Sequence, residues 1–469
     1  SSDSIDNYSK NLTGSRSVSY RIAWTEPIGK KSSILIDAGN SLKWNSSDKQ
    51  TFDALPGEDN YNVRDTSLSN ELESRYISSS MGLGYRFQAE KLTLISMLQY
   101  ENSNLSANQF FPSETEISRN FLSILPGGML SYNINKTTKL RVFYRSNSSS
   151  PSVSQLQNVP DISNPLQISA GNPLLKPARQ ENMFMRFSRT NTGTASSFFL
   201  LFGGGSTRNY IGNSTIIATS DTLLPGNISL GRGARFVQPV NMNGYQTIRS
   251  FLNYGIPVSV IKTNLNLNLS WNYSRIPGML NGLEGFSKTH SAGFGLVLAS
   301  NISESIDFTV SSQSGYNHAV SSLENMMDQD YFSQRTGMQV NLIFAKSLVF
   351  NMDLNHQYYS GISSQYDNNY LLCNMGLARK FFRDNSGELK FSVYDIFRQS
   401  TSFSRTVTDV YVQDSQNKVL GQYAMLTFTY KLRSFNENTQ ENLNMRGPGN
   451  MRFHDGEGPP PGEGPPPGD

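Results

Sequence analysis

The residue types that most often carry chemistry are sparse in this chain. Its four histidines, His290, His318, His356 and His454, show no metal-ligand spacing such as i, i+4 with a carboxylate partner. We interpret them as ordinary polar residues of strands or of a lumen. The single cysteine, Cys373, has no suggested catalytic partner, so a small buried or lipid-facing apolar role is favoured over a nucleophile. The sequence therefore predicts no metal and no cofactor.

The glycine run Gly203-Gly204-Gly205 is the one segment that could be taken for a phosphate-binding loop. No Lys-Ser/Thr pair follows it and no helix is signalled, so a bend or close packing within a strand is the favoured interpretation. Neither a Gly-x-Ser-x-Gly motif nor a paired-carboxylate arrangement stands out. We predict that the protein is not an enzyme.

Composition limits the classes of protein that remain. Of 469 residues, 37% are hydrophobic, 16% are charged and 11% are aromatic, and the net charge is +3. A net charge this small does not point to nucleic acid. No run of about 18 apolar residues occurs, so no transmembrane helix is predicted. Few charges with many Asn, Ser, Tyr and Phe are typical of a wall that is wet on one side and apolar on the other.

The dominant pattern has a period of two. In residues 262–274 (KTNLNLNLSWNYS), leucine and aromatic residues alternate with Asn and Ser. Alternation places the two sets on opposite faces of a strand. The run is long enough to cross a bilayer as a tilted strand, which takes about 9–11 residues.

Similar segments recur about 17 times, and short and long connections alternate between them. The short turns at Lys30, Lys91, Glu304 and Lys346 are expected at one rim. Short periplasmic turns and long extracellular loops are typical of outer-membrane barrels, so we predict an all-β, transmembrane, antiparallel up-and-down β-barrel. The connections expected to be long are 49–70, 106–119, 148–179, 213–243, 278–288, 320–331, 360–369 and 400–421.

An odd number of strands has a topological consequence. The first predicted strand, 17–27, and the last, 422–433, both run toward the periplasm, so we expect them not to pair with each other. Even strand numbers are the rule, and a barrel of 20-odd strands would need roughly five more. We expect 1–435 to be a transmembrane barrel without its N-terminal strands and plug. The Pro/Gly-rich segment 436–469 is expected to be a disordered periplasmic tail.

Three motifs in the middle of the chain resemble a known family. They are PSVSQLQ (151–157), DISNPL (161–166) and GNPLLKP (171–177), and they are similar to the "PSISQLQ … NPL … GNPxLKPE" signature of TonB-dependent-receptor-like outer-membrane β-barrel proteins of Bacteroidota. Ala178 replaces the final Glu of that signature. The hairpin YRIAWTEPIG (20–29) and the closing strand around 419–432 also agree, so the resemblance spans about 17–435.

The resemblance implies a bacterial outer-membrane location and a 22-stranded barrel with a plug domain in its lumen. It implies ligand-gated uptake of a large nutrient such as an iron chelate, a glycan or a peptide. The alternative is a non-transporting structural or assembly subunit of an outer-membrane complex, and an open porin is a third. Implied partners are outer-membrane lipid and lipopolysaccharide, TonB through a segment ahead of the plug, and a surface lipoprotein or other complex subunits, but no nucleic acid.

Two sets of residues are candidate functional positions. The signature residues Asn172, Pro173, Leu175, Lys176 and Pro177 are expected at the extracellular mouth. There they would direct the chain into the next strand, with ligand contact as the alternative. A second set is expected to form aromatic girdles at the membrane interfaces, with stacking on a sugar or siderophore as the minority interpretation. Its members are Trp24, Trp44, Tyr100, Trp271, Tyr358 and Phe381.

Overall fold

The computed structural model describes most of the chain between residues 7 and 431. The residues it describes are 7–54, 60–66, 69–156, 160–161, 164, 166–224, 228–300, 305–322, 329–345, 347–361, 369–382, 385–399, 401–407, 412–418 and 421–431. The expected tail 436–469 lies outside them, as do His454 and the predicted turn residues Glu304 and Lys346.

The described chain is built almost entirely from strands. One helical turn, α1 (Val153–Leu156), and one 3-10 turn, Ser259–Ile261, interrupt them. No helix among the described residues is long and apolar enough to cross a membrane. The strands are β1 (Asn7–Pro27), β2 (Ser32–Ala54), β3 (Tyr61–Arg64), β4 (Asn70–Gln88), β5 (Leu92–Phe111), β6 (Thr115–Asn135), β7 (Thr138–Ser149), β8 (Gln167–Ser169), β9 (Ala178–Asn191), β10 (Ser196–Arg208), β11 (Tyr210–Ile217), β12 (Thr222–Leu224), β13 (Ile228–Leu230), β14 (Arg235–Met242), β15 (Tyr245–Val258), β16 (Thr263–Leu280), β17 (Leu283–Ser300), β18 (Ile306–Ser321), β19 (Gln329–Phe344), β20 (Leu348–Ser360), β21 (Asn369–Phe381), β22 (Gly387–Tyr394), β23 (Thr401–Val407), β24 (Val412–Lys418) and β25 (Tyr423–Tyr430).

A single sheet of 21 strands forms the wall of the molecule. Four of its members, β3, β8, β11 and β14, are short strands within connections. The other seventeen described strands form one continuous antiparallel ladder in up-and-down order, which confirms the predicted fold class and strand number. The ladder runs β1-β2-β4-β5-β6-β7-β9-β10-β15-β16-β17-β18-β19-β20-β21-β22-β25.

The two faces of this wall differ in polarity, as the alternation predicts. Leu269 of β16 lies opposite Leu252 and Phe294 in the neighbouring strands, and all three point to one face. The next residue, Asn268, points to the other face, where its Oδ1 accepts a hydrogen bond from the Nδ2 of Asn253 at 2.7 Å. The apolar face is the lipid face of an outer-membrane barrel and the polar face lines its lumen.

Two of the connections expected to be long are tight hairpins instead. In 106–119, β5 and β6 stay paired as far as Gln109 and Thr115, and residues 112–114 make the turn. In 278–288, β16 and β17 are joined by Asn281 and Gly282 alone. Both of these residues have positive φ, 49° and 82°, as a two-residue hairpin requires, so the Asn-Gly pair was a hairpin signal that the loop prediction overlooked.

Long strands explain why these predictions failed. The strand β2 has 23 residues. At a rise of about 3.3 Å per residue and a tilt near 40°, such a strand climbs about 55 Å, whereas the apolar band of a barrel is about 25 Å tall. Polar residues beyond the band therefore remain in the ladder. The described turns near Lys30 and Lys91 lie at the opposite, periplasmic rim, as predicted.

In the described part of the chain, the two edge strands of the sheet do not pair with each other. Among the described residues, β1 pairs with β2 alone and β25 pairs with β22 alone. The turn after β1 is periplasmic, and Tyr430 at the end of β25 lies opposite Gly387 at the same rim, so both edge strands run downward. The expectation that the first and last strands do not pair with each other is confirmed.

Candidate functional site

Two connections fold into an ordered cover at the extracellular end of the wall. We call residues 150–177, between β7 and β9, the signature loop, because they contain the three family motifs. We call residues 209–244, between β10 and β15, the hairpin loop. Both are built from short regular elements: α1 and β8 in the first, and β11 to β14 in the second.

The signature loop is anchored to the lumen face by buried leucines. Leu156 at the end of α1 is 0% exposed and Leu175 is 3% exposed. Both belong to one apolar cluster with Leu105 of β5, which points into the lumen. Partly buried residues of β4, β6 and β11 complete this cluster, namely Tyr76, Ile117, Phe121 and Ile211. Because Tyr76, Ile117 and Phe121 lie on the lumen face, the signature loop lies inside the mouth of the wall.

Hydrogen bonds to the hairpin loop fix the signature residues. The Nδ2 of Asn172 donates to the carbonyl of Pro239 at 3.1 Å. The backbone N–H of Lys176 donates to the Oδ1 of Asn241 at 2.7 Å, and the Nδ2 of Asn241 donates back to the carbonyl of Lys176 at 2.9 Å. Arg119 of β6 donates to the carbonyl of Pro173 at 2.9 Å. Directly after Pro177 the chain enters β9.

The hairpin loop is itself a small sheet. Its strands β11 and β14 pair antiparallel over eight residues. The strand β14 also pairs in parallel with β8 of the signature loop, and β11 pairs in parallel with the end of β16. A second apolar cluster, Ile168, Ala218, Leu230 and Ala234, lies between the two loops. The two loops and the extracellular end of β16 are therefore held together as one structure.

The wall from β16 to β20 carries a groove of about 530 Å³ that is lined by both polar and apolar side chains. Asn268 and Ser270 of β16, Gln313 of β18, Arg335 of β19 and Asn355 of β20 line it. Glycines of β17 and β19 leave space in its floor. Amide, hydroxyl and guanidinium groups on one concave face can donate and accept hydrogen bonds to a polar ligand.

An ion pair fixes the lumen face near the β1 edge. The Nη2 of Arg21 lies 2.8 Å from the Oδ1 of Asp37 across β1 and β2, and Asp37 is only 4% exposed. On β4, the residue opposite Asp37 is Gly82, which leaves room for this carboxylate. A Cβ added to Gly82 would lie 2.3 Å from the Oδ2 of Asp37.

All six candidate girdle residues lie on the lipid face, at two levels. Trp24 and Phe381 lie near the periplasmic ends of β1 and β21. Tyr100, Trp271 and Tyr358 lie about eight to ten residues up their strands, which is about 20–25 Å above the turns. Trp44 lies about 30 Å above them by the same measure. The two levels are separated by roughly the height of an apolar band.

The candidate chemical residues do not form a reactive cluster. His318 lies opposite His290 in the ladder and its Nδ1 contacts the Oδ1 of Asp330 at 2.6 Å. His356 contacts the Oδ1 of Asn369 at 2.7 Å, and Cys373 is buried. No group of three or more potential metal ligands occurs in the described part of the chain.

Sequence reasoning missed two residues that hold the cover in place. Leu105 is the one large apolar residue among the lumen-facing positions 103, 105, 107 and 109, and its size could have indicated it. Asn241 carried no signal, because its partner Lys176 becomes a neighbour only when the two loops meet.

Comparison with solved structures finds large outer-membrane receptors at very low sequence identity. The ferric yersiniabactin uptake receptor FyuA from Yersinia pestis is 9% identical with a TM-score of 0.43, and the match covers 92% of this chain and 63% of that one. The RagAB peptide importer is 8% identical with a TM-score of 0.41, covering 83% and 59%. The siderophore receptor PirA from Pseudomonas aeruginosa is 10% identical with a TM-score of 0.32, covering 90% and 70%. This chain thus spans about three fifths of the length of FyuA and of the RagAB chain.

Comparison with curated proteins finds no match. The sequence model described as "Outer membrane protein beta-barrel family" matches residues 1–430, nearly the whole described chain. With a wall of alternating faces, periplasmic turns and a loop-covered mouth, the chain belongs to the outer membrane protein β-barrel family and is an integral protein of the bacterial outer membrane.

Proposed function

We propose that this barrel is a ligand-gated uptake receptor for a large nutrient such as an iron chelate, a glycan or a peptide, and that it is not an enzyme. The observation that carries the proposal is the folded cover at the mouth, anchored through Leu156 and Leu175 to the lumen face. An open porin needs an unobstructed lumen, whereas a gated receptor needs an ordered element that can engage a ligand. The groove lined by β16 to β20 supplies hydrogen-bonding groups on the lumen face.

Closure of the wall forms part of the proposal. Unpaired backbone groups at a sheet edge are costly in lipid, at several kcal/mol each. Direct pairing of β1 with β25 would be parallel, unlike every neighbouring pair in the ladder. We therefore propose that roughly five further strands complete the barrel. The resemblance of the signature motifs to TonB-dependent-receptor-like barrels supports the further proposal that a plug fills the lumen and that TonB energises it. The segment 436–469 would then be an unfolded periplasmic tail.

Growth experiments test the uptake function. A strain lacking the gene is compared with its parent on ferric chelates as iron source, glycans as carbon source and peptides as nitrogen source. We expect a growth defect on one of these classes, and uptake of that nutrient by the parent strain should stop when the proton-motive force is collapsed. Complementation with Asn241→Ala, which removes both hydrogen bonds to Lys176, should restore growth only partly. Asn135→Ala, in a periplasmic turn, should restore it fully.

Two outcomes would favour the other functions. Normal growth on all three classes, together with co-purification of a defined set of outer-membrane proteins, would favour the structural or assembly subunit. Steady ion conductance of the purified protein in a planar bilayer, without any added ligand, would favour an open porin.

A further inference from the structure

The lipid face of β16, β17 and β18 carries a group of basic residues just above its aromatic residues. We call Arg275, Lys288, His290 and His318 the outer basic cluster. Arg275 follows Trp271 by four residues and Leu269 by six along β16, and because both intervals are even it shares their face. Lys288 lies opposite Arg275 in the ladder, and His290 lies opposite His318.

The height of the cluster places it at the membrane surface. Arg275 and Lys288 lie about twelve residues above the periplasmic ends of β16 and β17, which corresponds to about 30 Å. An apolar band about 25 Å tall ends below them. Trp271 and Tyr273 lie at the upper edge of this band, below the basic groups. This is the level at which the headgroups of the outer leaflet lie.

The arrangement within the cluster is unfavourable without an anion. Like charges directly opposite each other in a ladder are destabilising. Within the described part of the chain, neither Arg275 nor Lys288 has a carboxylate within ion-pair distance, and the Nε of Arg275 is buried without a hydrogen-bond partner. A second outward pair of opposed arginines, Arg179 and Arg208, has such a carboxylate, because the Nε of Arg179 lies 3.1 Å from Glu181.

The surroundings hold the arginine in place and leave its charge available. The Cζ of Arg275 lies 3.7 Å from the centroid of the Phe286 ring, a cation–π contact that orients the guanidinium. Asp330 already contacts His318 at 2.6 Å, so among the described residues the charges without a counterion are those of Arg275 and Lys288. Glu284 is on the same face, about four residues farther from the membrane than Lys288.

We propose that Arg275 and Lys288 bind a phosphate monoester of lipid A in the outer leaflet. A guanidinium can hold phosphate through two parallel hydrogen bonds, and a lysine adds a point charge. A lipid is favoured over free phosphate because the apolar side chains of Leu269 and Phe294 lie directly below on the same face, where acyl chains would pack. His290 would contact the same headgroup from below.

Lipid counting by native mass spectrometry tests this site. The protein, purified from its outer membrane, is titrated with lipid A carrying both phosphates, with lipid A carrying none, and with lipid A in excess inorganic phosphate. We expect a saturable bound lipid that needs its phosphates. The double variant Arg275→Gln/Lys288→Gln should weaken its binding about 30-fold, and Arg275→Lys should retain part of it.

The matched control is Arg379→Gln, which removes an outward arginine near the periplasmic rim and should leave lipid A binding unchanged. Heat-modifiable migration on gels will show that each variant is a folded barrel. Equal binding by wild type and double variant would overturn the proposal. Equal binding of phosphate-free lipid A, or displacement of the lipid by inorganic phosphate, would overturn it as well.

Discussion

Replacing Leu175 with alanine should release the signature loop from the wall while the barrel stays folded. The side chain is 97% buried in a cluster with Leu105 and Leu156, whereas the preceding residue, Leu174, is 79% exposed. Truncation of a buried leucine to alanine costs about 2.7–5 kcal/mol, through lost transfer energy and the cavity left behind. At about 1.4 kcal/mol per factor of ten, the low end of this range corresponds to about 100-fold in a local opening equilibrium.

Hydrogen exchange measures this opening directly. The backbone amides of Asn172, Leu175 and Lys176 each donate a hydrogen bond within the cover. In Leu175→Ala they should exchange about 100-fold faster than in the wild type, while amides of β16 keep their protection. Leu174→Ala is the matched control and should change exchange by less than about twofold, because an exposed side chain loses little on truncation. Equal acceleration in both variants would refute the assignment of Leu175 as an anchor.

Two further predictions concern the wall. Leu267→Arg places a charge on the lipid face at a cost of about 2–4 kcal/mol, so it should impair outer-membrane assembly far more than Asn266→Arg on the lumen face. Heat-modifiable gel migration measures the assembly, and equal defects in the two variants would contradict the assignment of faces. Gly203→Ala puts a Cβ 2.3 Å from a backbone carbonyl oxygen and should lower the unfolding midpoint in denaturant by an equivalent of about 1–3 kcal/mol. Gly29→Ala, with nothing within 4 Å, should leave the midpoint unchanged.

The wall could be predicted from sequence because its information is local. In β16, alternation of leucine with asparagine assigns each side chain to a face, and nothing distant changes that assignment. Counting such segments yielded an odd number of strands. That odd number in turn predicted that β1 and β25, as described, do not pair with each other. Strand ends were less predictable, because polar residues outside the bilayer pair in the ladder as readily as apolar residues within it.

The cover was decided by tertiary structure. From the sequence alone, the signature residues were expected to direct the chain into the next strand at the mouth. The sequence did not indicate which of Leu174 and Leu175 is buried. That difference arises because the loop folds back onto the lumen face, where only one of the two leucines meets Leu105. The hydrogen bonds of Asn241 likewise join chain segments about 65 residues apart. Periodicity fixes the direction in which a side chain points from its own strand, whereas contact between two loops depends on where the folded wall brings them.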